Sequence, residues 1–392
     1  MDEPLVARMR PFGETIFAEM SRLAAETGAV NLGQGFPDTD GPRSLLDGAA
    51  RHILGGVNQY PPGPGRPELR AAVAADRERR LGTAYDPDTE VYVTVGATAG
   101  IAAAVLALVE PGDEVVLFEP MYDSYAAVIA LAGGVRRPVT LRPDPGDGGR
   151  FTFDPAELRA AIGPRTRMVL LNSPHNPTGT VFTRAELAEV ADLCREHDLV
   201  AVTDEVYEHL TFDGAEHVPL ASLPGMRERT LAVSSVGKTF SVTAWKTGWV
   251  VGPEPLVRAV RTVNQFLTFT ANGALQLAVA DALRDETAWV AAQRDALRAK
   301  RDRLAAGLSA AGFRVLRPQG TYFVMTDIRP LGHTDGIAFT RALPGRAGVA
   351  AVPAQVLYDD TEAGRHLVRF AFCKRDEVLD EAVDRLVRAF AG

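Results

Sequence analysis

Residues 167–209 read RMVLLNSPHNPTGTVFTRAELAEVADLCREHDLVAVTDEVYEH. An apolar run (167–171) breaks at Asn-Ser-Pro. A helix-period segment follows over 184–197, and a second apolar run over 199–203. Strand, helix, strand in that order is a crossover, the connection that joins parallel strands. Working outward, the pattern repeats. VYVTV (91–95) precedes a helical stretch at 99–109, and EVVLF (114–118) precedes one at 125–131. Residues 231–234 and 248–251 read as two more strands. Strands that are apolar on both faces need cover on both, so the expected fold class is α/β with a largely parallel sheet between helices. An amphipathic segment (15–27) opens the chain, and two Gly/Pro-rich stretches, 33–42 and 59–67, cannot be regular structure. Residues 275–308 are mainly helical and lead to a C-terminal lobe with strands near 312–316, 322–326 and 367–372. There is no internal repeat and no low-complexity tract.

Composition narrows the function. The chain has 392 residues, beyond the roughly 250–300 at which single cores stop growing, so two lobes are expected. Its net charge of −8 argues against a general nucleic-acid binder. The two cysteines, Cys194 and Cys373, are far apart and form no CxxC pair, so neither a disulfide scaffold nor a cysteine-built zinc site is expected. The opening residues MDEPLVARMRPF lack an apolar signal core, and the longest apolar run, 101–109, falls short of the ~20 residues of a membrane span. The expectation is a soluble protein of a reducing compartment, the cytoplasm, with no nucleic-acid or membrane partner and no metal.

Four segments at strand ends carry chemistry. In SSVGKTFSVTAWKTG (234–248), Gly237-Lys238-Thr239 invites a P-loop reading, but Ala232 stands where that loop needs its first glycine. What remains is Lys238 in a small, apolar setting, with Ser235 before it and Lys246 after. Most lysines are solvated surface charges; one in such a setting can lose its proton and form a Schiff base. NSPHNPTG (172–179) is a rigid turn that presents Asn172 and Asn176; turn chemistry alone accounts for its Pro and Gly. In TDEVYEH (203–209), Asp204 ends an apolar strand, where open α/β sheets bind ligands, although an ordinary helix-start carboxylate reads equally well. VGATAG (95–100) runs from strand into helix and offers backbone N–H groups to an anion. Together these supply an amine (Lys238), an acid (Asp204), an amide (Asn176), a phenol (Tyr207) and a phosphate cradle (Ala97, Thr98, Ser235, Lys246). Pyridoxal 5'-phosphate needs that set: an imine partner for its aldehyde, a carboxylate for its ring nitrogen, donors for its 3-oxygen, and a helix start with cations for its phosphate.

With VNLGQGFPDTDGP (30–42), GVNQYPPGPG (56–65) and VRFAFCKRD (368–376) added, the chain resembles a fold-type-I pyridoxal-phosphate aminotransferase of class I/II. It is most similar to the branch of kynurenine, glutamine and methionine aminotransferases and actinobacterial N-succinyldiaminopimelate aminotransferases. The resemblance covers nearly the whole chain. It implies a mainly parallel seven-stranded sheet in a large cofactor-binding domain (46–285). A smaller α+β domain would be formed by both termini (1–45 and 286–392). It also implies roles. Lys238 would carry the imine and move the proton between Cα and C4′, Asp204 would pair with the ring nitrogen, and Asn176 and Tyr207 would hold the 3-oxygen. Tyr122 would stack on the ring, and Ala97, Thr98, Ser235 and Lys246 would bind phosphate. Tyr60 would reach the phosphate of a neighbouring subunit, making a homodimer. Arg369 would clamp the substrate α-carboxylate bidentately, with Gly35 offering an N–H to it, and Asn172 would buttress that arginine and the cofactor region. His175 is read as structural. Tyr60 and Tyr122 also admit plain packing readings, whereas Arg369 in an apolar strand needs an anion.

The sequence departs from the family pattern at Met121, Val236, Ala244 and the 266–275 segment (Asn272, Ala274 and Leu275 within it), expected near the side-chain pocket and the partner subunit. The implied reaction is ping-pong transfer of an amino group from an L-amino acid to a 2-oxo acid. The donor leans to N-succinyl-LL-diaminopimelate with glutamate as its counterpart. A broad kynurenine/glutamine/methionine type, or a specialised biosynthetic enzyme, is the alternative. Cysteine-conjugate β-lyase activity would be a side reaction. A fold-borrowing regulator would need a fused DNA-binding domain, and a Rossmann dehydrogenase a GxGxxG after its first strand; neither is found.

Overall fold

The computed structural model describes residues 4–391; residues 1–3 of the N-terminal segment and Gly392 of the C-terminal one lie outside the described residues. Seven strands form the large sheet: β1 (Val91–Val95), β2 (Glu114–Glu119), β3 (Val135–Thr140), β4 (Thr166–Asn172), β5 (Val200–Asp204), β6 (Thr230–Ser235) and β7 (Thr247–Val251). Their order is β1-β7-β6-β5-β4-β2-β3, and every pairing is parallel except the two made by β7. Burial explains the unbroken apolar runs. Val115 and Leu117 of β2 enter one core, and Val116 and Phe118 enter another on the opposite face. Both faces are therefore dry, and a period-2 polar pattern has nowhere to sit.

Two strand features were not legible. β3 carries Arg136, Arg137 and Pro138 and is half exposed, because it is the sheet edge and needs apolar residues on one side only. The reversed direction of β7 leaves no trace in apolar content. It matters to the site: Thr247 pairs with Val95, so the start of β7 lies beside the end of β1. A reversed strand thus brings its leading residue, Lys246, to the edge where the parallel strands end.

Helix limits follow local chemistry. Thr15 caps Ile16–Thr27, which ends at Gly28 in the left-handed region (φ 65°). A Thr183/Glu186 capping box starts Arg184–Glu196. The 275–308 stretch resolves into two helices, Gly273–Asp285 and Thr287–Ala310.

The second lobe is antiparallel. Strands β8 (Arg314–Leu316), β9 (Phe323–Asp327), β10 (Val352–Pro353) and β11 (Leu367–Ala371) are ordered β8-β9-β11-β10. The N-terminal Val30–Asn31 pairs with Val349–Ala350, and Ala371 N–H donates to the Leu32 carbonyl at 2.7 Å. Both ends of the chain therefore build one lobe beside the large sheet. Among the described residues, no helix is long and apolar enough to cross a membrane.

Candidate active site

The parallel strands β1, β4, β5 and β6 end at Val95, Asn172, Asp204 and Ser235 along one edge of the sheet. A cavity of about 450 Å³ opens there, roofed by the N-terminal segment and the second lobe. Ala97, Thr98, Tyr122, Asn172, Asn176, Asp204, Tyr207, Ser235, Lys238, Lys246, Gly35 and Arg369 all line it. Lys238 and Asp204, the pair on which the reading hangs, share this one cleft.

One end is suited to an anion. The helix Gly96–Leu108 has no side-chain cap, so its first N–H groups are unclaimed by its own sequence. Gly248 lets β7 approach closely: a Cβ there would stand 2.6 Å from the Gly96 carbonyl carbon. Lys246, at positive φ (49°), packs beside Gly96. Ser235 and Thr247 complete this end.

The middle holds buried titratable groups. Burial pushes the Asp204 carboxyl up to about 6, against the Tyr125 hydroxyl (2.6 Å to Oδ2) and the Val206 N–H (3.2 Å to Oδ1). Burial pulls the Lys238 amine down to about 8. Its Nζ donates to the Tyr322 hydroxyl at 2.7 Å and to the Gly35 carbonyl at 3.4 Å. Tyr207 is buried, and its phenol is raised by burial. Tyr122 stands edge-on to Tyr125, ring centroids 5.6 Å apart.

The other end holds an orphan cation. Arg369 is 2% exposed, yet among the described residues no carboxylate pairs with it. It donates to the Asn176 side chain (3.1 Å) and the Gly33 carbonyl (2.9 Å), and among the described residues its Nε has no partner. Phe323 and Phe17 flank the guanidinium, with ring centroids 4.0 and 5.0 Å away. Burial lowers it to about 10. Gly35 must be glycine, since a Cβ would meet the Phe323 ring at 2.4 Å.

Some expectations are revised. Asn172 does not bond Arg369; its amide donates to the Asp204 carbonyl (2.9 Å) and its oxygen accepts from the Asn176 N–H (2.7 Å). The turn 172–176 thereby puts Asn176, not Asn172, against the arginine. Within the single chain, Met121 and Val236 pack into core clusters, Ala244 and Asn272 are exposed, and these four residues are not among those lining the cavity. Tyr60 is 81% exposed and outside the cavity, its ring against Phe269 at 5.2 Å. His175 is buried beside Phe182, bonded to Thr178.

Sequence reasoning missed Tyr322, Phe323, Phe17 and Tyr125. Each lies in a run that reads as core: Phe17 and Tyr125 on helices, Tyr322 and Phe323 at a strand start. One signal was available for Tyr125, a polar-tipped aromatic that needs a hydrogen-bond partner once buried.

Comparison with known proteins agrees with this geometry. The chain is 55% identical over 389 residues to a probable N-succinyldiaminopimelate aminotransferase, DapC, of Mycobacterium tuberculosis, covering 97% of each chain. It is 41% identical over 387 residues to the methionine aminotransferase of Escherichia coli, covering 98% of this chain and 99% of the other. The solved N-succinyldiaminopimelate aminotransferase of M. tuberculosis superposes with a TM-score of 0.96 at 55% identity, over 98% of this chain and 100% of that one. Residues 27–386 match the family of class I and II aminotransferases. A cleft that joins a deprotonatable lysine to an unpaired arginine is therefore the work of a transaminase, and the chain belongs to the class I and II aminotransferases.

Proposed function

We propose that this aminotransferase uses pyridoxal 5'-phosphate in the 450 Å³ cavity and that its amino donor is N-succinyl-LL-diaminopimelate, with glutamate as the counterpart. One observation carries the cofactor reading: a lysine held near pH 8 and a buried acid held near 6 share a cleft with an uncapped helix start. The fit is chemical. A buried Asp204 that resists ionisation is stabilised by a cationic ring nitrogen, and unclaimed N–H groups at Ala97 and Thr98, with Ser235 and Lys246, suit a phosphate. Asn176 and Tyr207 suit the 3-oxygen and Tyr122 the ring face. When bound, the cofactor supplies an aldehyde that condenses with amines and a ring that accepts the electron pair left when a Cα–H bond breaks.

The chain's own residues do the rest. Arg369 binds the substrate carboxylate through its unsatisfied guanidinium edge, and the Gly35 N–H assists. That anion supplies the counter-charge the buried arginine lacks. Lys238 takes a proton from the substrate and returns it at another atom, which requires an amine that is neutral in part at working pH. Its position near 8 meets that requirement. Asp204 stays ionised against a cationic partner. Donor and acceptor amino groups would therefore pass through this one site in turn, with Lys238 handling the proton in both halves.

Full-length similarity to DapC supports the succinylated donor. A broad specificity of the methionine/kynurenine type is favoured by the aromatic lining of Phe17, Tyr122 and Phe323. A donor panel containing the succinylated diamino acid, methionine, kynurenine and glutamine separates them. The first reading requires kcat/KM for the succinylated compound to exceed the others by at least ~10-fold.

We also propose a homodimer in which Tyr60 serves the neighbouring site. Tyr60 and Phe266 are 81% and 84% exposed, and Leu54, Leu267 and Phe269 are exposed as well. Mixing inactive Lys238→Ala with Tyr60→Ala subunits then yields activity, because one site of each hybrid keeps both residues. No recovery on mixing rules the arrangement out. The proposed domain division is 46–285 for the large domain against 1–45 with 286–392 for the small one. The two buried free thiols suit the cytoplasm.

A further inference from the structure

We propose that Tyr322 is the positioning residue for the free Lys238 amine, holding it as a hydrogen-bond acceptor so that the nitrogen lone pair stays open. The proposal rests on Lys238 being the reacting amine. Three contacts carry it. Lys238 Nζ donates to the Tyr322 hydroxyl at 2.7 Å and to the Gly35 carbonyl at 3.4 Å, and the Tyr322 hydroxyl itself donates to the same Gly35 carbonyl.

The direction of these bonds decides the chemistry. A carbonyl can only accept, so the phenol proton lies toward Gly35 and a phenol lone pair faces the lysine. A neutral amine has two N–H bonds and one lone pair. One N–H is held by the Tyr322 hydroxyl, with the Gly35 carbonyl a longer second acceptor beyond it, and because the phenol proton is directed to Gly35 it is not offered to the nitrogen lone pair. When the Cα–H bond of the substrate breaks, the electron pair stays with the substrate and a third N–H bond forms on Lys238.

Tyr322 is fixed well enough to do this. It is 1% exposed, edge-on to Tyr207 (5.2 Å) and close to Phe323 (4.9 Å). Thr321 before it holds a positive φ of 67°, unusual for a β-branched residue, and the Tyr322 carbonyl accepts from the Phe372 N–H at 2.9 Å. Lys238 comes from the large sheet, Tyr322 from the second lobe and Gly35 from the N-terminal segment. The bond set thus exists only when all three are together. Asp204, Lys246, Arg369, Cys373 and Tyr207 also face the amine and set its background charge.

The test uses cofactor-free protein first. The sequence has four lysines, Lys238, Lys246, Lys300 and Lys374, so acetylation can be followed residue by residue against pH by mass spectrometry. An ammonium that loses an acceptor is less stable, so in Tyr322→Phe the Lys238 midpoint falls by about one pH unit, a ~10-fold shift in its acid constant, while Lys246 and Lys300 stay put. In loaded enzyme, the amino-acid half-reaction slows ~10–100-fold with a larger α-deuterium isotope effect and a KM within ~3-fold. Fluorotyrosine at position 322, a weaker acceptor of the same shape, moves the midpoint the same way and covers the case in which Tyr322→Phe misfolds. An unmoved Lys238 midpoint in both variants overturns the proposal. So does a loss confined to cofactor affinity. Failure of the broader reading looks different: Lys238→Ala would then keep the imine absorption band.

Discussion

Asp204 and Glu205 are adjacent in the chain and opposite in environment. Asp204 faces the cavity and burial lifts it to about 6. Glu205 faces away. Burial would raise it too, but Arg77 (2.8 Å) and His217 (3.3 Å) hold it at about 2. Glu208, one turn on, is likewise lowered, against Arg80 at 2.9 Å and the Ser234 hydroxyl at 2.7 Å. Glu205, Glu208 and His217 have metal-ligand chemistry within 4.8 Å of one another, but guanidinium groups stand against both carboxylates. On one side of the strand end, charge is paired and serves structure. On the other, Asp204 and Arg369 are buried and Lys238 is half-buried, without ion pairs among the described residues, and they await a ligand. Unpaired buried charge is costly, so its concentration in one cleft marks the working face.

The contrast can be broken in order of effect. Lys238→Ala on the unpaired side lowers transamination by at least ~10⁴-fold and abolishes the imine absorption on adding cofactor, with little change in melting temperature. Activity near wild type would end the assignment. Arg77→Met on the paired side does the reverse: it leaves two buried carboxylates short of a partner and costs about 3–5 kcal/mol in urea unfolding, with specific activity of the folded fraction within ~3-fold. Arg369→Ala lowers kcat/KM by ~10²–10³-fold, while Arg369→Lys recovers only part because a point charge cannot make the bidentate contact. The smallest effects are in pH. Glu205, lowered on folding, contributes stability above its unfolded value of 4.5 that is lost as pH falls toward about 2; Glu205→Gln flattens that acid limb. Asp204, raised on folding, has the opposite sign: in cofactor-free protein it costs stability as pH rises from 3.8 through about 6. Asp204→Asn therefore stabilises the cofactor-free protein at pH 8, by at most about 3 kcal/mol, and melting curves at pH 5 and 8 read the difference.

The legible parts were those fixed by local chemistry. The strand β1 was read to the residue because VYVTV is buried along nearly its whole length, and Lys238, Asp204 and Asn176 stood out as polar groups at apolar strand ends. What stayed hidden depends on partners distant in sequence. Tyr322 reads as strand core until Gly35, 287 residues earlier, and Lys238, 84 residues earlier, are placed beside it. β3 was hidden because an edge strand tolerates arginine and proline. Tyr60 was legible as part of GVNQYPPGPG, yet it is exposed and does not line the cavity of its own chain, so its proposed role depends on a second subunit.

The bond from Arg369 to the Gly33 carbonyl spans 336 residues. During synthesis, a chain stalled before residue 369 has the amine at 238 and the acid at 204 but cannot finish the carboxylate end. A copy cut short before residue 369 thus keeps an incomplete cleft, and closing the pocket depends on contacts of high sequence separation, whose loop-closure entropy must be met before they form.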